Sequence, residues 1–210
     1  MEGVSQLFDF PDSITLGEAK LTRYSMNAVR SKWTAARAAV TGYNLYCPEG
    51  DYVKLHVNGR LMMSDTQMEK RSNLDFVLHA KGNVFIAGLG IGLILHNIRD
   101  KVKNGIVSSI TVIEISQDVI DLVSPYYKDL NIKYICSDVM QYKPAKDEKY
   151  DTIYFDIWPD ICTDNLNDMK KLSYIWRYHK KTADSWIGYW LKDFLLKRRK
   201  QEKRYETRYY

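Results

Sequence analysis

The run Val84-Phe85-Ile86-Ala87-Gly88-Leu89-Gly90-Ile91-Gly92 constrains this chain more than any other stretch of it. Four apolar residues read as a buried strand, and three glycines at alternate positions then turn it at once into a helix. Glycine suits such a turn because it accepts unusual φ/ψ values and has no side chain to block a ligand approaching the backbone. The helix start then offers N–H groups and the positive end of its dipole. The spacing here is G-x-G-x-G. The dinucleotide fingerprint is G-x-G-x-x-G and calls for glycine or alanine where Leu93 stands, which argues against a nicotinamide dinucleotide.

The neighbouring residues alternate strand and helix. Strands are predicted at 83–87, 109–115, 133–136 and 150–155, with helices at 91–103 and from Ser116, a natural N-cap, to about Tyr127. Apolar strands alternating with helices point to a parallel sheet with right-handed crossovers. Three acids follow three successive strands: Glu114, Asp138 and Asp156. In open α/β sheets that carboxyl edge is where ligands bind. A carboxylate at Glu114 can accept from both hydroxyls of a ribose. One at Asp138 can accept from an adenine amino group, with Val139 or Met140 against the base. Acids in these places also cap helices, which explains Asp138 better than Glu114.

Outside this middle the signals differ. Residues 1–16 read as an irregular lead-in and residues from about Leu16 to Val40 as a helix. Alternation on both sides of Asn58-Gly59 predicts a hairpin with a type I′ turn. Thr66 and Glu69 form a capping-box pattern for a helix from Gln67 to about Ala80. Residues 164–203 read as helical throughout, with Trp186 and Trp190 on one face.

Residues 83–156 resemble the first half of a class I S-adenosylmethionine-dependent methyltransferase. The likeness rests on the glycine loop, the acids Glu114 and Asp138, and the acid after the fourth strand. The hairpin and helix at 51–80 resemble the entry to the spermidine synthase-like branch of that superfamily. The resemblance implies S-adenosylmethionine as cofactor. Gly88, Gly90 and Gly92 would pass its methionine and ribose portions. Glu114 with Ile115 would hold the ribose, Asp138 with Val139 the adenine, and Asp156 would face the reacting centre.

The sequence departs from the aminopropyltransferases, with Met62-Met63 and Ser72-Asn73 where they carry a glutamine and a tyrosine–histidine pair. The candidate acceptor site is the loop Asp156-Ile157-Trp158-Pro159-Asp160, with Asp65 and Glu69 on the neighbouring element. Trp158 can stack on a flat or cationic group, and Asp156 and Asp160 can bind an amine or take its proton. A surface turn with Trp158 in the core is the competing reading. Asp156 would act ionised, favoured by an adjacent positive charge.

The expected architecture is an α/β chain with a Rossmann-like parallel sheet of order 3-2-1-4. An N-terminal helix and hairpin extension (1–64) precedes the cofactor-binding part (65–210), and either helices replace the usual last strands or the run SWIGYWL (185–191) forms one of them. The expected activity is methyl transfer to a small-molecule acceptor, with an amine as the candidate nucleophile and no metal. The alternatives are aminopropyl transfer, cofactor cleavage by a lyase or hydrolase, and a non-catalytic binding module.

Composition narrows the field further. The chain has 210 residues, 45% of them hydrophobic, enough for a real core. No apolar run nears the roughly 20 residues of a membrane span, and the N-terminus lacks the pattern of a secretory signal. Cys47, Cys136 and Cys162 are odd in number and widely spaced, which argues against structural zinc and a disulfide framework and suits a reducing cytoplasm. The net charge of +5 equals that of residues 197–210, with seven basic and two acidic residues, so the rest is formally neutral. A solvated helix end is the favoured reading of that tail, and a nucleic-acid contact the alternative.

Overall fold

The structure, a computed structural model, describes residues 11–41 and 46–209. Its first sheet is antiparallel. β1 (Ser13–Leu16) and β2 (Ala19–Met26) form a hairpin turned at Gly17, and α1 (Ala28–Thr41) follows. The helix predicted from Leu16 is therefore confined to its alanine-rich half. Residues 19–22 alternate, with Ala19 and Leu21 buried and Lys20 exposed, and a period of two settles as a strand once a partner strand is present. The partner is β3 (Gly50–Val57), which also pairs with β4 (Arg60–Ser64) to complete the order β1-β2-β3-β4. Asn58 and Gly59 join β3 to β4 with φ of 51° and 73°, the two positive values that a type I′ turn requires.

The helix predicted over 67–80 divides into α2 (Gln67–Ser72) and α3 (Leu74–His79). Between them Asn73 is fully buried. Its amide donates to the Glu69 carbonyl at 3.0 Å and accepts from the Tyr154 hydroxyl at 2.8 Å. The capping box does not form, because Thr66 makes no side-chain cap bond.

The second sheet is parallel, five-stranded and Rossmann-like. β5 (Gly82–Ala87) lies at its centre and is followed by α4 (Leu93–Asn97) and α5 (Arg99–Lys103). The single helix expected there breaks at Ile98, whose φ of −102° and ψ of 3° leave the helical region. β6 (Val107–Glu114), α6 (Gln117–Val123), β7 (Ile132–Cys136), β8 (Thr152–Phe155), α7 (Asn165–Trp176), β9 (Trp186–Tyr189) and α8 (Lys192–Tyr209) complete the chain. The strand order is β7-β6-β5-β8-β9. Ser116 caps α6 through a bond from the Val119 N–H.

The fifth strand corrects the all-helical reading of 164–203. Trp186 and Trp190 do not share a helix face. β9 pairs with β8 from Thr152↔Trp186 to Phe155↔Tyr189, and the Trp186 indole folds over Gly188, where no Cβ stands in its way. Beneath the sheet Phe85 and the fully buried Trp176 lie 4.0 Å apart between ring centroids. Burying a large apolar side chain of this kind contributes roughly 1.5–3 kcal/mol. Val84 to Ala87 are at most 1% exposed, as a strand covered on both faces should be. Among the described residues no helix is long and apolar enough to cross a membrane.

The two sheets meet at the N-terminal end of α6, where the Asp118 carboxylate accepts from the Glu18 N–H at 2.8 Å. This contact helps bring the β3–β4 hairpin over the glycine loop.

Candidate functional site

Parallel strands all end at one edge, so four short sequence signals far apart in the chain meet there. Gly88 follows β5, Glu114 ends β6, Asp138 lies two residues beyond β7, and Asp156 follows β8. All four line one cleft of about 220 Å³, together with Gly90, Ile115, Val139 and Trp158. The β3–β4 sheet supplies the opposite wall through Leu55, Met62 and Met63.

The glycine loop is tightly tied. Gly88 has φ 96°, and a Cβ there would stand 2.1 Å from the Asp156 carbonyl oxygen. The ends of β5 and β8 can touch only if this residue is glycine. The Gly88 N–H donates to the Ile113 carbonyl, that of Leu89 to Glu114 Oε2 at 2.8 Å, and that of Gly92 to the Leu89 carbonyl. The Ile91 N–H points at Met63 Sδ, 3.2 Å away. Four of the five N–H groups from Gly88 to Gly92 are thus engaged within the chain, one of them by a carboxylate. Gly92 itself does not line the cleft. It precedes α4 with φ 74° and lies against the Tyr127 ring, whose hydroxyl bonds the Ile91 carbonyl.

Glu114 and Asp138 are held by their own backbone surroundings. Glu114 Oε1 accepts from the Ser116 N–H at 3.1 Å, and Asp138 Oδ1 from the Met140 N–H at 2.8 Å. A carboxylate offers about four lone-pair sites, so each keeps acceptor capacity toward the cleft.

The far end carries a different pair. Asp156 and Glu69 both line the cleft. Burial pushes the Asp156 carboxyl up to about 7, with a hydrogen bond from Asn73 drawing it back down. Burial pushes Glu69 up to about 8, and the neighbouring Asp156 charge adds to the rise. At neutral pH the pair therefore holds a proton between its two carboxyls. The ionised Asp156 expected from the sequence was tied to an adjacent positive charge; without one, desolvation disfavours the charged form. Trp158 is 9% exposed, so it packs in the core and still forms part of the cleft wall. Its indole N–H is buried with no hydrogen-bond partner among the described residues.

Two expected substrate residues lie elsewhere. Asp65 does not line the cleft. It is fully buried and its carboxylate accepts from the Val53 N–H at 2.8 Å, tying α2 to β3. Asp160 is an exposed rim residue, ion-paired with Arg60 at the start of β4. The pairing fastens the hairpin to the loop after β8.

Glu69 was legible as a helix cap able to close the acceptor pocket, and Trp190 as part of a helix or of a strand at 185–191. The glycine at Gly188, within an apolar run, is the signal that would have exposed the strand leading to Trp190. Met63 carried no chemical signal, because its role depends on the hairpin's placement.

No protein-family model matches this sequence, and no curated protein matches it. The structure is similar in part to several solved structures. One is a DhpI–SAM–HEP complex, at 15% identity and TM-score 0.42, covering 57% of this chain and 52% of that one. Another is a SAM-dependent methyltransferase from Leishmania major, at 15% identity and TM-score 0.43, covering 57% and 47%. A third is the N-methyltransferase NodS from Bradyrhizobium japonicum with S-adenosyl-L-homocysteine, at 20% identity and TM-score 0.33, covering 41% and 43%. The matched part spans about half the length of these structures or less. The spermidine synthase-like branch has no support among them.

Proposed function

We propose that this chain binds S-adenosylmethionine in the cleft and transfers its methyl group to a small acceptor bearing an amine. The observation that carries the reading is the ligand chemistry of the carboxyl edge. A glycine loop stands there beside Glu114, Asp138 and Val139, yet four of its five N–H groups are already taken and a carboxylate sits on one of them. A diphosphate needs free N–H groups and would be repelled by that charge. An adenosyl group without phosphates needs neither.

In this reading Glu114 accepts from the ribose hydroxyls beside Ile115. Asp138 accepts from the adenine amino group, and Val139 packs on the base. Gly88 and Gly90 leave room along the backbone for the amino-acid portion. The cofactor, when bound, supplies a sulfonium methyl that a nucleophile displaces in line, so the protein's task is mainly positioning. Asp156 and Glu69 give the acceptor end its character. Their shared proton can leave when an ammonium group arrives, and the carboxylates then hold that group and take a proton from it. Trp158 offers a ring face to a cation and an N–H still in need of an acceptor.

Calorimetry tests the cofactor. S-adenosylhomocysteine should bind in the micromolar range, and NAD should not bind measurably. A folded sample that prefers NAD, or takes up no adenosyl ligand, would exclude the reading. Methyl transfer itself is read from S-adenosylhomocysteine formed with a panel of small amines, and Asp156→Asn should remove most of that turnover while binding the product only modestly more weakly.

A further inference from the structure

The chain is electrically polarised in a way the cleft does not use. From the start of α7 to the C-terminus, residues 165–210 hold thirteen basic and five acidic residues, a balance of +8. The remaining residues hold 18 and 21, a balance of −3. Most of that positive charge lies on α7, on the 3-10 turn Arg177–His179 that continues it, and on α8.

α7 buries one face and displays the other. Leu166, Met169, Leu172 and Trp176 are in the core. Asn167, Lys170, Lys171, Tyr174, Arg177 and Tyr178 are exposed, at the three- and four-residue spacings that align side chains along one face. Tyr174 and Tyr178 are 65% and 58% exposed, well above what packing against the core would leave. The Arg177 guanidinium lies 4.5 Å from each of their ring centroids. At the other end of this stripe Arg199 of α8 donates to the Asn167 side chain at 3.1 Å. The stripe from Asn167 to Tyr178 is roughly 16 Å long at 1.5 Å per residue, and the basic residues of α8 extend it. Lys171 is paired with Asp168, and Arg198 with Glu202. Lys170 has no such ion pair among the described residues.

We propose that this stripe binds single-stranded nucleic acid, with phosphates along Lys170, Arg177 and Arg199 and bases stacked on Tyr174 and Tyr178. The combination of cations and exposed aromatic faces along one track is what single strands require, since every base has a face to stack and every nucleotide a charge to neutralise. An anionic membrane would be served by the charge but needs an apolar face. The exposed apolar side chains near the stripe are few, with Ile175 on α7 and Phe194 and Leu196 at the base of α8. The proposal does not depend on cofactor binding or methyl transfer.

The test is fluorescence anisotropy of the full chain with labelled oligothymidylate and oligouridylate of about twelve nucleotides. Both should bind at low salt and weaken steeply as salt rises; a marked preference identifies DNA or RNA as the natural strand. Tyr174→Ala with Tyr178→Ala should weaken binding at least tenfold, with S-adenosylhomocysteine binding and melting temperature kept. Lys170→Gln with Arg177→Gln should reduce the slope of affinity against salt, and supplies a second route should the tyrosine variant fold poorly. Absence of binding by the intact chain at low salt would overturn the proposal. So would full affinity in the tyrosine variant, or tighter binding to phosphatidylserine vesicles that the same substitutions abolish.

Discussion

Glu114 and Asp156 stand at the ends of the two strands that flank β5, and the fold treats them in opposite ways. Glu114 receives backbone N–H groups on both oxygens, from Leu89 and Ser116. Its charge is satisfied before any ligand arrives, and it also fixes the glycine loop. Asp156 receives help from one amide, Asn73, and lies beside a second carboxyl, Glu69; desolvation drives both toward the neutral form. One end of the cleft thus holds a carboxylate hydrogen-bonded on both oxygens, and the other holds two carboxyls short of donors and pushed toward the neutral form. The contrast shows that two acids in matching sheet positions can serve preorganisation and response, depending on how many donors surround them.

The most severe way to break this arrangement is at the contact joining the two ends. Gly88→Ala places a Cβ against the Asp156 carbonyl at a φ that favours glycine. It should cost ~3 kcal/mol of stability or more and abolish S-adenosylhomocysteine binding in calorimetry. Retained affinity would mean that β5 and β8 are not held this closely.

Glu114→Ala comes next, because it removes the hydrogen-bonded end and leaves the other. Two N–H groups lose their acceptor, each at about 1–3 kcal/mol if left buried and unsatisfied. Affinity for S-adenosylhomocysteine should fall at least tenfold while circular dichroism still reports a folded chain. Unchanged affinity would separate Glu114 from the ligand.

A pH titration of stability sharpens the responsive end. The folded Asp156 and Glu69 carboxyls hold their protons more tightly than unfolded ones do. The stability they contribute is complete below the unfolded values near pH 4 and is lost as pH rises through about 7 and 8. The melting temperature of the ligand-free protein should therefore decline from pH 5 to pH 9. Asp156→Asn should flatten that decline and melt higher than the parent at pH 9 by roughly 2–4 °C, the shift of about 1 kcal/mol at this size. A parent curve that rises with pH would show that the pair is ionised and already compensated.

The smallest effect belongs to the rim. The Arg60 and Asp160 side chains are 56% and 72% exposed. Asp160→Asn should change stability by at most about 1 kcal/mol and leave product affinity within twofold in calorimetry. A large loss would make the hairpin clasp part of the binding site itself.

Local rules determined the middle of this protein from its residues alone. Apolar strands, a glycine turn and the Ser116 cap act within a few residues, and parallel strands send their C-terminal acids to one edge whatever surrounds them. Glu114, Asp138 and Asp156 are for that reason placed at that edge by the sequence. The hairpin at Asn58-Gly59 was legible for the same reason, since its turn needs two positive φ angles at adjacent residues. β2 was not, and β9 stayed open between helix and strand, because a short amphipathic segment settles as strand or helix according to the hydrogen-bonding edge it meets. β3 and β8 supply those edges from residues 50–57 and 152–155. Burial was equally out of reach. Asp65, Asp156 and Asp160 are the same residue type close to one cleft, yet one is a buried brace, one a half-buried wall whose carboxyl is pushed up to about 7, and one a solvated rim. Only the packing of the antiparallel sheet over the parallel one decided which aspartate lost its water, and desolvation, far more than residue identity, sets what a carboxyl does.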